Sequence, residues 1–369
     1  MWACRHLHPH IHPKLSSTPL SLLPEEIIHL HTFRNSIAHL AALLALTAAP
    51  CFAQSNWSVV QTFHIGGEGT SWDYVTMDAA NHRLFVTRAT HTQAIDTTTG
   101  KVLGDITGQV RSHGVALVPK LNRGFITDGG GPGAIVIFDL KTYAVLGKLA
   151  AMPDADGIIY DAKLDKVLFV SGDGNSMTAF DPSIDPQSGK LPEPIKLGGA
   201  PEFLASDGSK VFVNLEDKDV VAVVDLASRS VVSRWPVAPA GKPVGLAIDP
   251  AGHKLFIGCR GPQKLVVMST ETGSVEASLP IGAGVDATAF GAGEAFASAG
   301  DGTITVAAET AGKFDIAQTV KTPIAARTMG IDAAAHRLYL PTAEMEPAVA
   351  GARPKAKPDS FMIVVVGQQ

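Results

Sequence analysis

Cysteine is scarce in this sequence of 369 residues, which holds only three. Two of them, Cys4 and Cys51, fall within the first 53 residues, so the rest of the chain keeps Cys259 alone and cannot form an internal disulfide. Motifs of the Cys-x-x-Cys-His, His-Glu-x-x-His and Gly-x-Ser-x-Gly types are absent. This removes the usual sequence signatures of attached haem, zinc proteases and serine hydrolases. Cys259 ends a predicted strand, where we expect a small packed residue.

The sequence also has few charged residues and little helical periodicity. Charged residues make up 18% of the chain, the formal net charge is −5, and no long amphipathic helix pattern occurs. A slightly acidic chain makes nucleic acid an unfavoured partner. In contrast, 46% of the residues are hydrophobic, and there are 36 Gly and 24 Pro. This composition predicts an all-β fold with a large core.

Residues 1–53 have the features of a secretory signal rather than of a folded domain. Arg34 precedes the apolar run Ile37–Ala49, and Cys51-Phe52-Ala53 supplies small residues for cleavage near Ala53. The run is too short to span a membrane, so we expect no transmembrane segment in the mature chain and a periplasmic or secreted location. Met1–Phe33 is rich in His and Pro, and we interpret it as a mis-called upstream extension. A metal-binding His tract and, from Cys51, a lipoprotein stay open as alternatives.

One stretch, Lys242–Gly282, shows how the remaining chain is organised. It contains four short apolar runs, separated by turn signals: Val244–Ile248, Leu255–Gly258, Leu265–Met268 and Val275–Ile281. Four strands and three tight turns in about 40 residues predict one antiparallel meander. Such a sheet cannot bury both faces alone, so it requires neighbours.

The second run of this meander recurs seven times along the chain. Its copies start at residues 84, 124, 168, 211, 255, 295 and 338, so the spacings are 40, 44, 43, 44, 40 and 43. Every copy has an aromatic residue in second place: Phe85, Phe125, Phe169, Phe212, Phe256, Phe296 and Tyr339. This period predicts a seven-bladed β-propeller of four-stranded antiparallel blades, with the aromatic residues as core.

The two ends of the repeat predict how the ring closes. The last unit lacks a fourth strand, whereas Trp57–Ile65 is a strand without a unit of its own. We therefore expect the N-terminal strand to complete the last blade, which removes two open sheet edges. Residues 54–369 then form a single domain, expected to be monomeric. Ala343–Pro358, rich in Pro, Ala and Lys, is predicted to be a long surface excursion that covers the channel, contacts a partner or is flexible.

The units resemble the YVTN repeat of YncE-like seven-bladed propellers over essentially all of Trp57–Val366. The resemblance rests on four stretches: Arg83–Thr87, Ile95–Val102, Ser112–Leu117 and Gly245–Pro250. Two units depart from the pattern, since Ser269 replaces the usual Asp after the third strand and Ile304–Ala308 lacks it. The resemblance implies an exported propeller but no reaction, because this fold hosts binders, scaffolds, lactonases and quinoprotein dehydrogenases.

The resemblance also implies that the first strand of each blade lines a central channel. The starting position of that strand holds Asp73, His113, Asp156, Glu202, Val244, Asp286 and Arg327. The loop after the second strand adds Arg88, Asp128, Asp173, Glu216, Arg260, Asp301 and Glu344. Asp173 and Asp301 each precede Gly, which is typical of a tight hairpin turn. We predict a ligand site at the channel mouth, formed by Asp73, His113, Asp156, Glu202, Asp286, Arg327, Arg88, Glu216 and Arg260.

Three functions fit this mouth. The first is the binding of a small molecule or a protein partner without catalysis. The second is a metal-dependent hydrolase of the lactonase type, with a divalent cation held by some of Asp73, His113, Asp156, Glu202 and Asp286. Clustered carboxylates would also raise at least one pKa and so provide a general base. The third is a quinone-dependent dehydrogenase, for which the chain shows no covalent attachment residue and only four Trp.

Overall fold

The computed structural model describes residues 56–67, 71–347 and 355–368. The predicted signal peptide, its cleavage near Ala53 and the mis-called start lie outside these residues and stay predictions. Within the described part of the chain, no helix has the length and apolar character needed to cross a membrane.

The described residues form strands joined by short turns. In chain order, the strands are β1 (Trp57–His64), β2 (Val75–Asp78), β3 (Arg83–Thr87), β4 (Ala89–Asp96), β5 (Val102–Val118), β6 (Arg123–Asp128), β7 (Ala134–Asp139), β8 (Val145–Ala150), β9 (Ala155–Asp161), β10 (Lys166–Ser171), β11 (Ser176–Phe180), β12 (Ile195–Lys196), β13 (Pro201–Ser206) and β14 (Val211–Leu215). They continue with β15 (Val220–Asp225), β16 (Ser230–Pro236), β17 (Pro243–Asp249), β18 (Lys254–Arg260), β19 (Gln263–Ser269), β20 (Val275–Pro280), β21 (Val285–Gly291), β22 (Glu294–Ala299), β23 (Thr303–Thr310), β24 (Lys313–Lys321), β25 (Gly330–Asp332), β26 (Arg337–Thr342) and β27 (Met362–Gln368). Three single 3-10 turns lie at Ala79–Asn81, Pro119–Leu121 and Glu216–Lys218.

Adjacent strands pair antiparallel in six sheets. Five sheets have four strands each: β9 to β12, β13 to β16, β17 to β20, β21 to β24, and β25 to β27 with β1. The sixth runs through seven strands, β2 to β8. It has seven because β5 pairs with β4 through its first half and with β6 through its second half. The predicted all-β fold of four-stranded antiparallel meanders is confirmed.

The first strands of the meanders form the inside of the molecule. Strands β2, β5, β9, β13, β17, β21 and β25 contact one another in a closed cycle. The aromatic residues predicted as core are buried, with exposures of 5% for Tyr339 and at most 1% for the six Phe. Hydrophobic burial of these rings between neighbouring sheets stabilises the assembly.

The chain ends close the ring as predicted. Strand β1 pairs antiparallel with β27, from Trp57 opposite Gln368 to His64 opposite Met362. The buried Trp57 indole donates a 2.7 Å hydrogen bond to Glu294 and packs edge-on against Phe296 at 4.9 Å. The Gln318 side chain accepts from the Trp57 N–H at 2.9 Å and donates to its carbonyl at 2.7 Å. The first strand is therefore fixed both to the last sheet and to β22 and β24.

A side chain at the end of the third strand accepts hydrogen bonds from backbone N–H groups of the turn that comes next. The carboxylates of Asp96 and Asp139 accept backbone N–H groups two and three residues further on, at 2.7–2.9 Å. The Ser269 hydroxyl accepts the equivalent two N–H groups at 3.2 and 3.3 Å. The departure seen in the sequence therefore keeps the same turn with a weaker acceptor.

Candidate functional site

Hydrogen bonds between neighbouring units hold the ring positions in place. In four of the seven units, the fourth residue of the recurring second strand donates to a backbone carbonyl at the next ring position. Thr87 bonds the His113 carbonyl at 2.8 Å and Thr127 the Asp156 carbonyl at 2.5 Å. Asn214 and Ser298 do the same for the carbonyls of Val244 and Arg327. Because these donors are buried, the backbone at these four ring positions is fixed before any side chain meets a ligand.

Asp73, just before β2, meets His113 on β5 and Asp156 on β9. The His113 Nδ1 lies 2.6 Å from Asp73 Oδ2 and 3.3 Å from Asp156 Oδ1. One ligand atom from each residue lies within 4.8 Å of the other two. Burial alone would lower the pKa of His113, but the Asp73 hydrogen bond and both carboxylate charges outweigh it and raise that pKa to about 9. This side chain is therefore an imidazolium at neutral pH.

Asp156 and Glu202 are partly buried carboxyl groups with little positive charge around them. Burial, opposed by His113 and reinforced by Asp73, raises the pKa of Asp156 to about 8. Burial, the charge of Asp156 and a hydrogen bond with Glu216 raise the pKa of Glu202 to about 8. Desolvation and neighbouring like charge both disfavour the ionised form. These two carboxyl groups therefore keep a proton to a higher pH than an exposed carboxyl group does.

The opposite side of the ring carries the arginines. Both oxygens of Asp286 are occupied, one by the Arg260 guanidinium and the other by the Nε of Arg327. Arg260 also donates to the Val285 carbonyl at 2.9 Å and lies 3.9 Å from Glu216. Charge-assisted bonds of this kind orient guanidinium groups strongly. Asp286 therefore acts as the holder of two arginines.

Two aromatic side chains form the floor below the ring. The rings of Tyr74 and Phe203 are 4.8 Å apart and tilted by 52°. They follow Asp73 and Glu202 directly, and the equivalent position on β9 is Gly157, where an added Cβ would lie 2.8 Å from the Phe203 ring. Burial and the charges of Asp156, Asp73, Asp286 and Glu202 raise the pKa of Tyr74 well above its ordinary value. The four carboxylates of the ring therefore all act on this one hydroxyl.

The structure corrects part of the predicted site. Arg88 is completely buried, with its guanidinium 3.6 Å above the Phe361 ring and a 2.9 Å hydrogen bond to Gln93, so it is not exposed at the channel mouth. Asp286 is a poor metal ligand because two arginines occupy its oxygens. Glu202 does not belong to the group of potential ligand atoms around His113.

Two carboxylates of the loops after the second strands, Asp128 and Asp301, have structural roles. Asp128 is fully buried and accepts the N–H groups of Val110 and Arg111 and the Lys148 ammonium. Asp301 accepts the Ala283 N–H at 2.6 Å, beside the left-handed Gly302 of its turn.

The Ala343–Pro358 excursion is described only at its two ends. They pair through Met345 and Ala356 and through a 2.8 Å bond from the Glu346 N–H to the Lys355 carbonyl. The covering or partner-contacting role of this excursion stays a prediction.

Sequence reasoning missed Tyr74 and Phe203. The signal was available, because the position after the ring residue reads Tyr, Gly, Gly, Phe, Gly, Ala and Thr in the seven units. Two large residues among small ones indicate that the small residues leave space for the large ones.

The fold and the ring together define a β-propeller with a charged channel mouth. Hydrazine synthase from Kuenenia stuttgartiensis, a β-propeller-containing protein, is similar in structure, with a TM-score of 0.63 over 75% of this chain and 94% of the other. The two sequences are 13% identical, so the likeness bears on the fold alone. No protein-family model matches the sequence, and no curated protein matches it either.

Proposed function

We propose that this protein is an exported, seven-bladed propeller of the YVTN-repeat kind that binds a cationic group at its channel mouth and carries out no reaction. The cationic group belongs to a small molecule or to a side chain of a protein partner. The closed cycle of seven inner strands and the double use of β5 support seven blades. The repeat motifs support the family, and the apolar run before Ala53 supports export.

The observation that carries this proposal is the surplus of carboxylates in one half of the ring. Asp286 is bonded to two arginines and Asp73 to His113, whereas Asp156 has only the 3.3 Å contact with His113 and Glu202 forms no ion pair with any described residue. A cation about 4 Å from one of these carboxylates would gain about 4 kcal/mol at an effective dielectric constant of about 20. The raised pKa values mean that binding at neutral pH would release protons.

The test is calorimetric titration of the full chain with putrescine, a small organic dication. Heats measured at pH 7 in buffers of different ionisation enthalpy give the number of protons released. We expect up to about one proton per bound dication, and at least a tenfold loss of affinity in Asp156→Asn and in Glu202→Gln. Exposed Glu271 lies in a turn at the outside of the β17–β20 sheet, so Glu271→Gln is the matched control. Equal binding by all four proteins would refute the proposal.

A metal-dependent hydrolase of the lactonase type is the second candidate. The cluster of Asp73, His113 and Asp156 supports it, since carboxylate and imidazole groups are ordinary ligands of divalent cations. A bound cation would supply an activated water at neutral pH. His113 must lose its proton to bind a metal, so metal affinity would rise with pH.

Metal analysis separates the two candidates. A hydrolase requires one equivalent of a divalent metal in the purified protein, lost in His113→Gln together with lactone hydrolysis. Glu202→Gln should spare metal binding, because Glu202 lies outside the ligand cluster, but should weaken putrescine binding. Less than one equivalent of metal would reject the hydrolase and leave the binding function standing.

A quinone-dependent dehydrogenase receives no support from the tryptophans of the described chain. Trp57 and Trp72 are buried in the core, and Trp235 packs against Phe212 at 5.7 Å. These indoles are committed to packing in or between sheets, so they offer no stacking surface at the mouth.

A further inference from the structure

The channel contains a second cavity beyond the aromatic floor. This chamber has a volume of about 470 Å³ and is lined by residues two to four positions after the ring residue in six repeat units, and by Phe203 in the remaining unit. Each of those six units contributes a large apolar side chain to the lining: Met77, Leu117, Ile159, Ile248, Phe290 and Ile331. All six are partly exposed, so the chamber can be reached from solvent. We call this cavity the apolar chamber.

Among the residues that the structure describes, no charged side chain lines the apolar chamber. Its three hydroxyl groups already have acceptors within the protein. Thr76 donates to the Val115 carbonyl at 2.7 Å, Thr288 to the Phe256 carbonyl at 3.0 Å, and Tyr160 to Asp165 at 2.9 Å. The side chains therefore offer apolar surface and no free hydroxyl proton. Backbone groups along the inner strands are the polar groups that remain for a ligand.

The charged ring and the apolar chamber adjoin along the channel but are lined by different residues. Between them lies a narrow cavity of about 60 Å³, lined by Tyr74, Phe203 and Asp286 among others. Phe203 borders both the narrow cavity and the chamber. A molecule in the chamber therefore does not contact Asp156 or Glu202.

We infer that the apolar chamber binds an uncharged, mainly apolar small molecule. Ligand cavities commonly measure about 300–1,000 Å³, and they are lined by hydrophobic side chains with a few backbone polar groups. An apolar molecule in the chamber displaces water that gains little from the lining side chains, because their three hydroxyl groups already donate within the protein. A charged ligand would lose its hydration there without a compensating ion pair. Binding at this site is independent of the cation at the mouth.

Titration of the full chain with Nile red, an uncharged dye, tests the inference by fluorescence. We expect saturable binding with one dye per chain. Ile159→Asp and Ile248→Asp place a carboxylate in a chamber without a counter-charge, so each should weaken dye binding at least tenfold. Val232 is 56% exposed on β16, and Val232→Asp is the control with the same chemistry. Ile248→Asp should bind putrescine like the wild type, so failure of this inference and failure of the proposed function are distinguishable.

Two results would overturn the inference. One is non-saturable dye fluorescence, and the other is equal dye affinity in both chamber variants and the control. Circular dichroism shows whether the variants keep the β fold. If they do not, xenon-pressurised crystals of the wild-type protein decide the question, since xenon must then occupy the apolar chamber. A chamber without xenon would refute an apolar site.

Discussion

Replacing Asp286 with alanine tests whether one carboxylate holds two arginines at the channel mouth. Its oxygens bond Arg260 and Arg327 separately, and its side chain is 13% exposed. Without it, two guanidinium groups face each other across a small space and lose their shared acceptor. We expect the variant to fold but to be less stable at neutral pH and low salt.

The magnitude follows from the burial of the three groups. Removing one partner of a buried ion pair typically costs 3–5 kcal/mol. The arginine side chains are 34% and 43% exposed, so solvent screens part of their repulsion. The expected loss in the free energy of unfolding is therefore near the lower limit, about 3 kcal/mol.

Urea unfolding followed by tryptophan fluorescence measures this loss. Glu271→Ala removes an exposed carboxylate elsewhere and should change stability by less than about 0.5 kcal/mol. Sodium formate should restore part of the stability of Asp286→Ala, because formate fits the space of the missing carboxylate, whereas sodium chloride at equal ionic strength should restore less. A loss below about 1 kcal/mol, or equal effects of both salts, would refute the reasoning.

Three further predictions concern the pH dependence of stability, the hydrogen bonds of Asn214 between neighbouring units, and the reactivity of the Cys259 thiol. Asp156, with a pKa of about 8, is protonated in the folded chain but ionised in the unfolded chain above about pH 4, and His113 stays charged in the fold up to about pH 9. Because both pKa values are raised in the fold, the free energy of unfolding should fall as the pH rises from 5 to 9. Urea midpoints measured over this range should fall less steeply in Asp156→Asn than in the wild type. An equally steep fall in both proteins would contradict these pKa values. Asn214→Ala removes two buried 3.0 Å hydrogen bonds to the carbonyls of Val244 and Gly245. It should lower the free energy of unfolding in urea by about 2–4 kcal/mol. A loss below about 1 kcal/mol would show that these two hydrogen bonds are dispensable. Burial raises the pKa of the Cys259 thiol to about 12. In a variant that keeps Cys259 as its single cysteine, a thiol reagent at pH 8 should therefore react only after unfolding. Rapid reaction of the folded protein would contradict the burial of this thiol.

The sequence predicted the strands well because their signals are local. The meander of Val244–Ile281 matches β17 to β20 within a few residues, and the recurring aromatic position is buried in every unit. Alternation and turn residues act over a few neighbours, so they can be read without a structure. The number of sheets was harder to predict, because Val102–Val118 runs without a break from one meander into the next.

The site was predicted as a set of positions, and the structure divided that set by contact. Asp73, His113 and Asp156 contact one another. Asp286 forms ion pairs with two arginines instead. Arg88 is buried with its guanidinium stacked on the Phe361 ring. An alignment of the repeat units predicts which residues lie at the same level of the channel. It does not predict in which direction each side chain points. Arg88 aligned with the charged loop residues, but packing on an aromatic ring decided its place.

The order of residues alone determined that this chain is a ring of repeated sheets closed by its own first strand. The periodicity, the extra strand before the first unit and the missing strand of the last unit are all properties of the sequence. Only the tertiary structure decided which charges neutralise one another, that two aromatic side chains divide the channel, and that an apolar chamber lies beyond them. The physical reason is distance. The contacts that form the site join residues that lie from 26 to 255 positions apart, and local patterns carry no information about such contacts.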